Sequence, residues 1–334
     1  MSAELIAVLA VITVAMVFDY TNGFHDAANA IATSISTRAL TPRVALIMAA
    51  VGNFIGAHFG AEVAKTVGSG LVELPAGVSS LGIVFAGVVG AITWNLITWY
   101  FGLPSSSSHA LIGGLVGATI AASGTVLWGG IAGDVVLPMV LSPLVGFGLG
   151  FLVMLAVQWI FRNGQPGKLN RGFRIAQSVS AAAMSVGHGM QDAAKTIGIV
   201  VLALFVGGFQ SDAETIPEWV FWTSATVLAL GTYAGGWRII RTLGRKIIDL
   251  RPPEGFAAET VASSVLYFNA LVLGAPISTT HTITSAIMGV GVTKRLSAVR
   301  WNVAGNIVGA WILTFPAAGS IGAVMYFVVR PLFS

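Results

Sequence analysis

The chain has 334 residues, of which 55% are hydrophobic and only 9% are charged, and its mean hydropathy is +0.86. Soluble domains carry about 25% charged residues, so this composition is typical of a protein with several membrane spans. The pI near 9.6 does not indicate a nucleic-acid partner, because the basic residues cluster in short loops between apolar segments, where they act as topology signals. The sequence contains no cysteine, which excludes disulfides and thiolate metal ligands.

Apolar segments follow one another along the whole chain. They cover 4–37, 42–61, 78–101, 109–123 and 137–161, and then 175–208, 217–234, 257–273, 281–293 and 301–328. A helix needs about 20 apolar residues to cross a bilayer core, so the short segments 109–123 and 281–293 are predicted to be parts of broken or re-entrant elements. Breaks are also expected near Gly23 and Gly189. The sequence predicts an all-α polytopic membrane protein with about 10–12 helical membrane segments.

The positive-inside rule orients these segments. If the N-terminus lies outside and the chain crosses ten times, the inner loops hold 14 of the 17 Lys and Arg residues. Both termini are then expected on the outer face of the cell (inner) membrane. The chain divides into a first membrane repeat, 1–161, a short cytoplasmic linker, 162–174, and a second repeat, 175–334. Because each repeat crosses an odd number of times, the second is predicted to be inverted relative to the first.

Two polar stretches interrupt the apolar pattern and support this duplication. In the first, polar residues recur every three or four positions, which places them on one face of a helix; they are Asp19, Asn22, Asp26, Asn29 and Thr33. In the second, Asp192-Ala-Ala-Lys195 repeats Asp26-Ala-Ala-Asn29 after 166 residues. A further pair of motifs recurs in the same order after 172 residues, Pro104-Ser-Ser-Ser-Ser-His109 and Pro276-Ile-Ser-Thr-Thr-His281.

The carboxylates of the first motif pair need a reason to lie in a membrane segment. An ionised Asp near a helix centre costs roughly 2.5–3.5 kcal/mol. No cation lies near Asp26 in the sequence, and its oxygen-bearing neighbours Asn22 and Asn29 suit a small coupling ion, either a proton or a metal cation. Asp192 has the same predicted role, although a structural ion pair with Lys195 one turn away is an alternative. Lys195 is either a fixed positive charge or a simple counter-ion.

The second motif pair predicts an anion site. A proline followed by hydroxyl side chains at a helix start leaves backbone N–H groups free, and these groups and the helix dipole attract negative charge. Two such helix starts facing each other could hold a tetrahedral oxyanion through Ser105, Ser106, Ser107 and Ser108 of one motif and Ser278, Thr279 and Thr280 of the other. The alternative is that these hydroxyls only cap helices or bond across a helix interface.

Four histidines lie in the repeated motifs and are candidates for a proton relay, because imidazole titrates near neutral pH; they are His25, His109, His188 and His281. Each could instead bond to a backbone group. The spacing shows no compact His, Asp and Glu set typical of zinc, so no resident metal is predicted. The loop 236–251 alternates basic and apolar residues at helical spacing, which predicts an amphipathic interfacial helix.

Four motifs resemble those of the PiT inorganic phosphate transporter family, and the low-affinity Pit type of bacteria most closely. They run in order along nearly the whole chain: Gly23-Phe-His-Asp26-Ala-Ala-Asn29, Trp94-Asn95 through His109, Gly187-His-Gly-Met-Gln-Asp192 and Pro276 through His281. The resemblance implies an inverted-repeat transporter that carries phosphate with Na⁺ or H⁺, with metal–phosphate complexes as further substrates. Sodium-coupled relatives typically have a second Asn where this chain has Lys195.

We therefore expect a secondary active transporter that imports phosphate by alternating access around a midplane site. Its expected partners are phosphate, H⁺ or Na⁺, a divalent metal as metal–phosphate, and the lipid bilayer, without a cofactor; a homo-oligomer is compatible with the sequence. A sulfate permease on the same scaffold is the first alternative. An intramembrane enzyme that uses Ser108 or His109 with Asp26, and a channel, are the others.

Overall fold

The protein is described here by a computed structural model that covers residues 2–333. Its helices are α1 (Ala3–Ser36), α2 (Pro42–Ala57), α3 (Ala61–Ser69), α4 (Val78–Phe101), α5 (Ser107–Ala121), α6 (Trp128–Ile160), α7 (Pro166–Val206), α8 (Glu218–Ala234), α9 (Trp237–Arg241), α10 (Pro252–Phe268), α11 (Thr279–Val292) and α12 (Trp301–Val329). Helix α6 contains a π-helical turn at Ile131–Val136, and π-helical turns Thr242–Lys246 and Asn269–Leu273 follow α9 and α10. Two short strands, β1 (Val72–Glu73) and β2 (Thr125–Val126), pair antiparallel.

The helices confirm a polytopic membrane protein. Within residues 2–333, six helices are long and apolar enough to cross a membrane: α1, α4, α6, α7, α10 with its π turn, and α12. Helices α2 and α3 form one further candidate span that is bent by 69° at its break. Each of the ten predicted apolar segments contains a helix. The short α5 and α11 begin at the two hydroxyl motifs, as the sequence predicted, while their re-entrant character remains a prediction.

The predicted breaks near Gly23 and Gly189 are wrong, because α1 and α7 run through both glycines as continuous helices of 34 and 41 residues. Both glycines serve close packing instead. A Cβ atom on Gly23 would lie 2.6 Å from the Leu228 carbonyl oxygen of α8, and one on Gly189 would lie 2.4 Å from the Asn53 carbonyl oxygen of α2. Small residues of this kind let membrane helices approach to backbone contact.

Two further predicted segments differ from the sequence expectation in extent. The linker 162–174 is mostly helical, because α7 begins at Pro166, a residue that suits the first helical position. The loop 236–251 is helical from Trp237 to Lys246 and is amphipathic: Ile239 and Leu243 are buried, whereas Arg241 is exposed. Its location at the membrane interface remains a prediction.

Helices α1 and α7 form the centre of the molecule. Helix α1 packs against α4, α7 and α8, while α7 packs against α2, α3 and α10. Helix α5 lies between α4 and α12, and α11 lies between α6 and α10. The turns that lead into α5 and α11 both contain a glycine in the left-handed region, Gly102 with φ 66° and Gly274 with φ 61°. Only glycine adopts this conformation freely, so the two hydroxyl motifs are presented by equivalent turns.

We expect Gly189→Ala to destabilise the protein by about 1–3 kcal/mol, because the added methyl group would overlap the α2 backbone. Thermal unfolding of the detergent-solubilised protein measures this change. Gly309→Ala in α12 is the matched control, since a Cβ atom there meets nothing within 4 Å. That control should be neutral or slightly stabilising. Equal effects of the two substitutions would contradict the packing role of Gly189.

Candidate functional site

The hydroxyl motifs begin two helices in the same way. Ser106 Oγ accepts a hydrogen bond from the His109 backbone N–H at 3.2 Å, and Ser278 Oγ accepts one from the His281 N–H at 3.1 Å. These two serines are therefore N-caps of α5 and α11. The capping alternative considered for the motifs holds for Ser106 and Ser278, and it leaves the hydroxyls that follow them free to face the centre of the protein.

Ser107 links the first hydroxyl motif to Asp26 of α1. Its Oγ donates to Asp26 Oδ2 at 2.6 Å, and His25 Nδ1 lies 2.7 Å from Asp26 Oδ1. On its other side, His25 Nε2 lies 3.0 Å from Thr98 Oγ1 of α4, which also accepts a hydrogen bond from Ser105 at 2.8 Å. The hydroxyls of Ser105 and Ser107 thus fix both ends of the His25–Asp26 pair.

The second copy of the carboxylate motif holds a buried ion pair. Lys195 Nζ lies 2.8 Å from Asp192 Oδ1, and it donates to Ser107 Oγ at 3.0 Å. His188 Nε2 lies 3.2 Å from Asp192 Oδ2, while its Nδ1 lies 3.1 Å from Asn53 Oδ1. A continuous network therefore connects Asp192 of α7, through the ammonium group and the Ser107 hydroxyl, to Asp26 of α1.

Contacts also run crosswise between the two halves. Asn29 of α1 donates through Nδ2 to Thr279 Oγ1 at 3.0 Å and to Thr280 Oγ1 at 2.8 Å. Its counterpart, Lys195 of α7, contacts the hydroxyl motif of the first half instead. Ser108 Oγ adds a link by donating to the Ile277 carbonyl at 3.3 Å. These predicted anion-binding and ion-binding residues therefore lie in one buried centre, whereas Asn22 is buried without a hydrogen-bond partner among the described residues.

Three of these side chains could hold a cation. One ligand atom from each of Asp26, His188 and Asp192 lies within 4.8 Å of the others. The sequence spacing gave no indication of this group, because Asp26 is on α1 and the other two are on α7. Two carboxylates with one imidazole can hold Na⁺ or a divalent ion such as Mn²⁺ or Zn²⁺. The fold thus brings together three possible ligands that lie on two different helices.

The remaining two motif histidines contact each other and not the carboxylates. The rings of His109 and His281 are edge to face at a centroid distance of 4.8 Å. Trp311 stacks on His281 at 4.0 Å, and its Nε1 donates to the Pro104 carbonyl at 2.9 Å. Of the four candidate relay histidines, His25 and His188 lie beside an aspartate, while this pair joins the starts of α5 and α11.

Burial makes these interactions strong. Asp26, Asn29, Asp192 and Lys195 are each no more than 2% exposed. Charge interactions are less screened in such a centre than in water. With two carboxylates and one ammonium group, the fixed charges leave a net negative site that favours an additional cation.

Sequence analysis missed a second buried carboxylate cluster. Glu259 of α10 is fully buried and accepts hydrogen bonds from Ser34 Oγ at 2.6 Å, Ser180 Oγ at 2.6 Å and Gln177 Nε2 at 3.2 Å. Thr33, the last residue of the polar stripe on α1, also donates to Glu259. The available signal was the single acid within the apolar segment 257–273, which passed unremarked because no repeated motif contains it.

Comparisons with known proteins identify the family of this chain. The sequence model of the Phosphate transporter family matches residues 22–322. A protein of Rhizobium meliloti named "Probable low-affinity inorganic phosphate transporter" is 50% identical over 322 residues, covering 95% of this chain and 94% of the relative. A Bacillus subtilis protein of the same name is 42% identical and is matched over the full length of both chains.

A solved structure titled "The sodium-dependent phosphate transporter" has the same fold. It superposes with a TM-score of 0.85 at 24% identity and covers 97% of this chain and 99% of its own. The resemblance seen in the sequence motifs is confirmed by the family match and by the relatives. The motifs, the buried centre and these matches together show that the chain is a multi-pass membrane transporter, not an enzyme, and that it belongs to the phosphate transporter family.

Proposed function

We propose that this protein imports inorganic phosphate across the cell (inner) membrane by symport with H⁺ or Na⁺. One observation carries the proposal: the starts of α5 and α11 meet the carboxylates and the ammonium group of α1 and α7 in one buried network. Hydroxyls and free helix N-termini suit a tetrahedral oxyanion, and the neighbouring carboxylates suit the coupling ion. The names of the full-length relatives support phosphate as the substrate.

Phosphate binds, in this proposal, between Ser105–Ser108 and Ser278–Thr280. The cap serines hold the two helix starts in place, and Ser107, Thr279 and Thr280 turn toward the substrate. Lys195 contributes one permanent positive charge next to Ser107. Since hydroxyls and N–H groups carry most of the binding in place of a cluster of arginines, the anion can also be released on the other side.

The coupling ion binds at Asp26, Asn22, Asn29 and Asp192. The positive charge of the coupling ion offsets the negative charge of phosphate. Lys195 alone cannot do this, because the site also carries two carboxylates. The name of the structurally similar protein supports Na⁺ as one candidate, and the imidazoles of His25 and His188 beside the two carboxylates support H⁺ as the other. The group Asp26, His188 and Asp192 would also accept the divalent metal of a metal–phosphate complex.

Alternating access follows from the inverted repeats. The contacts of Asn29 with Thr279 and of Lys195 with Ser107 cross between the halves. If the halves rock about the midplane site, these contacts break and form while the substrate stays between them. The inner face is the one that carries the basic loops, and both termini lie outside.

Purified protein in proteoliposomes tests this function. With a Na⁺ gradient or a pH gradient imposed separately, at least one should drive accumulation of labelled phosphate above its equilibrium level. Sulfate in excess should leave this uptake largely unchanged, whereas strong competition would favour the sulfate permease. Uptake that never exceeds equilibrium under either gradient would favour a channel and would contradict symport.

A further inference from the structure

Asp19 is the one acid of the α1 stripe that the proposed phosphate and ion sites do not use. Its side chain is fully buried. Ser224 Oγ of α8 lies 2.6 Å from Asp19 Oδ2, and the Thr196 side chain of α7 is a second polar neighbour of the carboxylate. By geometry, Oδ1 has no hydrogen-bond partner among the described residues. No Lys, Arg or His within residues 2–333 forms an ion pair with it, in contrast to Asp26 with His25 and Asp192 with Lys195.

A carboxylate in this position is costly when it is ionised. Burying a charge without a paired counter-charge is far more expensive than burying a neutral hydrogen-bonded group, and an ionisable residue inside a membrane segment is by default a functional candidate. Adding one proton to the carboxylate removes the charge and breaks no covalent bond. The surroundings of Asp19 therefore suit a neutral carboxyl group that exchanges a proton.

Ser224 gives this proton exchange a structural consequence. Its single hydroxyl hydrogen can be donated either to Asp19 Oδ2 at 2.6 Å or to the Ala193 carbonyl oxygen at 3.4 Å. When Asp19 is protonated, its own O–H can donate to Ser224, which then donates to Ala193. When Asp19 is ionised, Ser224 must donate to Asp19 and can no longer donate to the Ala193 carbonyl oxygen. The protonation state is thus linked to the α7 backbone beside Asp192.

The position of Asp19 fits an entry point for the coupling proton. It precedes Asp26 on the same helix face by seven residues, about 10 Å along the axis at 1.5 Å per residue. Asn22 lies between them, fully buried, and neither its Oδ1 nor its Nδ2 has a partner among the described residues. With the predicted topology, Asp19 is on the outer side of the phosphate site, with this unpaired amide on the path inward.

The titratable groups near Asp19 come from α1 and α7, and the second half of the chain has no carboxylate equivalent to Asp19. On its own helix, α1, Tyr20 is adjacent in sequence and His25 and Asp26 follow two turns later. On α7 the charged groups that act on Asp19 are Asp192 and Lys195. Helix α4 has no acidic or basic side chain, and the only acid of α8 is Glu218 at its exposed start. The 166-residue repeat offset pairs Asp19 with Ser185, so no second carboxylate mirrors it.

We propose that Asp19 is the proton-binding residue that couples phosphate import to the pH gradient. The inference rests on the proposed symport and assigns its proton to one carboxyl group, with the Ser224–Ala193 link as the connection to the Asp192 segment. In this assignment the coupling proton binds Asp19, while Asp26 lies beside His25 and Asp192 beside Lys195.

The test separates coupling from transport. Proteoliposomes with wild-type protein, Asp19→Asn or Asp19→Glu are assayed for accumulation driven by a one-unit pH gradient and for exchange of labelled against unlabelled phosphate without a gradient. One coupled proton supports an accumulation of about tenfold under that gradient. We expect Asp19→Asn to lose this accumulation yet still exchange phosphate, and Asp19→Glu to retain both. Asp134→Asn, the same charge change outside the network, should behave as wild type.

Two results would overturn the assignment. In the first, Asp19→Asn accumulates phosphate under the pH gradient as well as wild type does. In the second, Asp19→Asn loses only the accumulation that a Na⁺ gradient drives. If wild-type protein neither accumulates nor exchanges phosphate, the proposed function fails, whereas the assignment of the proton is still decided by infrared spectroscopy of the protein. A protonated-carboxyl band that titrates with pH should be present in wild type and shifted in Asp19→Glu, also if Asp19→Asn fails to fold; an unshifted band contradicts the proposal.

Discussion

Asp26→Asn is expected to lower gradient-driven accumulation of labelled phosphate by about 100-fold or more, equivalent to about 2.7 kcal/mol. Asp26 is 2% exposed, accepts a hydrogen bond from Ser107 at 2.6 Å and lies 2.7 Å from His25. The amide keeps the shape of the side chain but removes the negative charge that attracts the coupling ion. It also places a donor where Ser107 now donates.

Uptake by transport-deficient cells and by proteoliposomes measures this effect. The matched control is Asp249→Asn, which removes the same charge from a surface pair with Arg300 whose carboxylate is 90% exposed. Surface pairs contribute about 0–1 kcal/mol, so the control should transport normally. Full activity of a correctly folded Asp26→Asn protein would refute the role assigned to this carboxylate.

Lys195→Met is expected to destabilise the protein by about 3–5 kcal/mol, because it leaves Asp192 as an uncompensated buried charge. The ammonium group is 2.8 Å from Asp192 and 3.0 Å from Ser107, and both members of the ion pair are buried. The free energy of unfolding in detergent, followed by circular dichroism during denaturation, measures the loss. Lys65→Met is the control, since its pair with Glu62 is exposed to solvent.

The double variant Asp192→Asn/Lys195→Met distinguishes ion pairing from packing. If the buried charge causes the loss, replacing both partners should recover most of the stability, because replacement of a whole buried pair is often neutral. Phosphate transport should remain impaired in the double variant, since Ser107 then lacks its cationic neighbour. A double variant as unstable as Lys195→Met would show that the lysine side chain acts through packing alone.

The difference between the two motif copies has a structural explanation that the sequence left open. Asn29 and Lys195 are equivalent in the repeat, and both were expected near the coupling ion. In the structure, Asn29 donates to Thr279 and Thr280, whereas Lys195 bridges Asp192 and Ser107. The Lys195 ammonium group contacts the Asp192 carboxylate and the Ser107 hydroxyl at once, because it has enough N–H donors for both.

Some site residues could not have been predicted, because their partners are distant in the chain. Thr98, Asn53 and Ser224 contact His25, His188 and Asp19, respectively. Thr98 lies within the motif Trp94–His109 but outside its repeated part, and the other two lie outside every motif. Glu259 likewise gathers hydroxyls from α1 and α7. A lone polar residue in an apolar segment indicates a buried role, but it does not indicate which helix supplies the partner.

The sequence by itself determined that the protein is a polytopic helical membrane protein, where its helices lie, and which motifs carry the chemistry. Hydropathy and helical periodicity are local properties, and the motifs are contiguous. The tertiary structure alone decided that α1 and α7 are unbroken at Gly23 and Gly189, because the flexibility of glycine permits a break while packing against α8 and α2 decides whether one occurs. It also decided that residues of one stripe on α1 belong to three different sites: Asp19 contacts Ser224, Asp26 contacts Ser107, and Thr33 contacts Glu259. Residue spacing along one helix does not indicate which residues of other helices lie beside it.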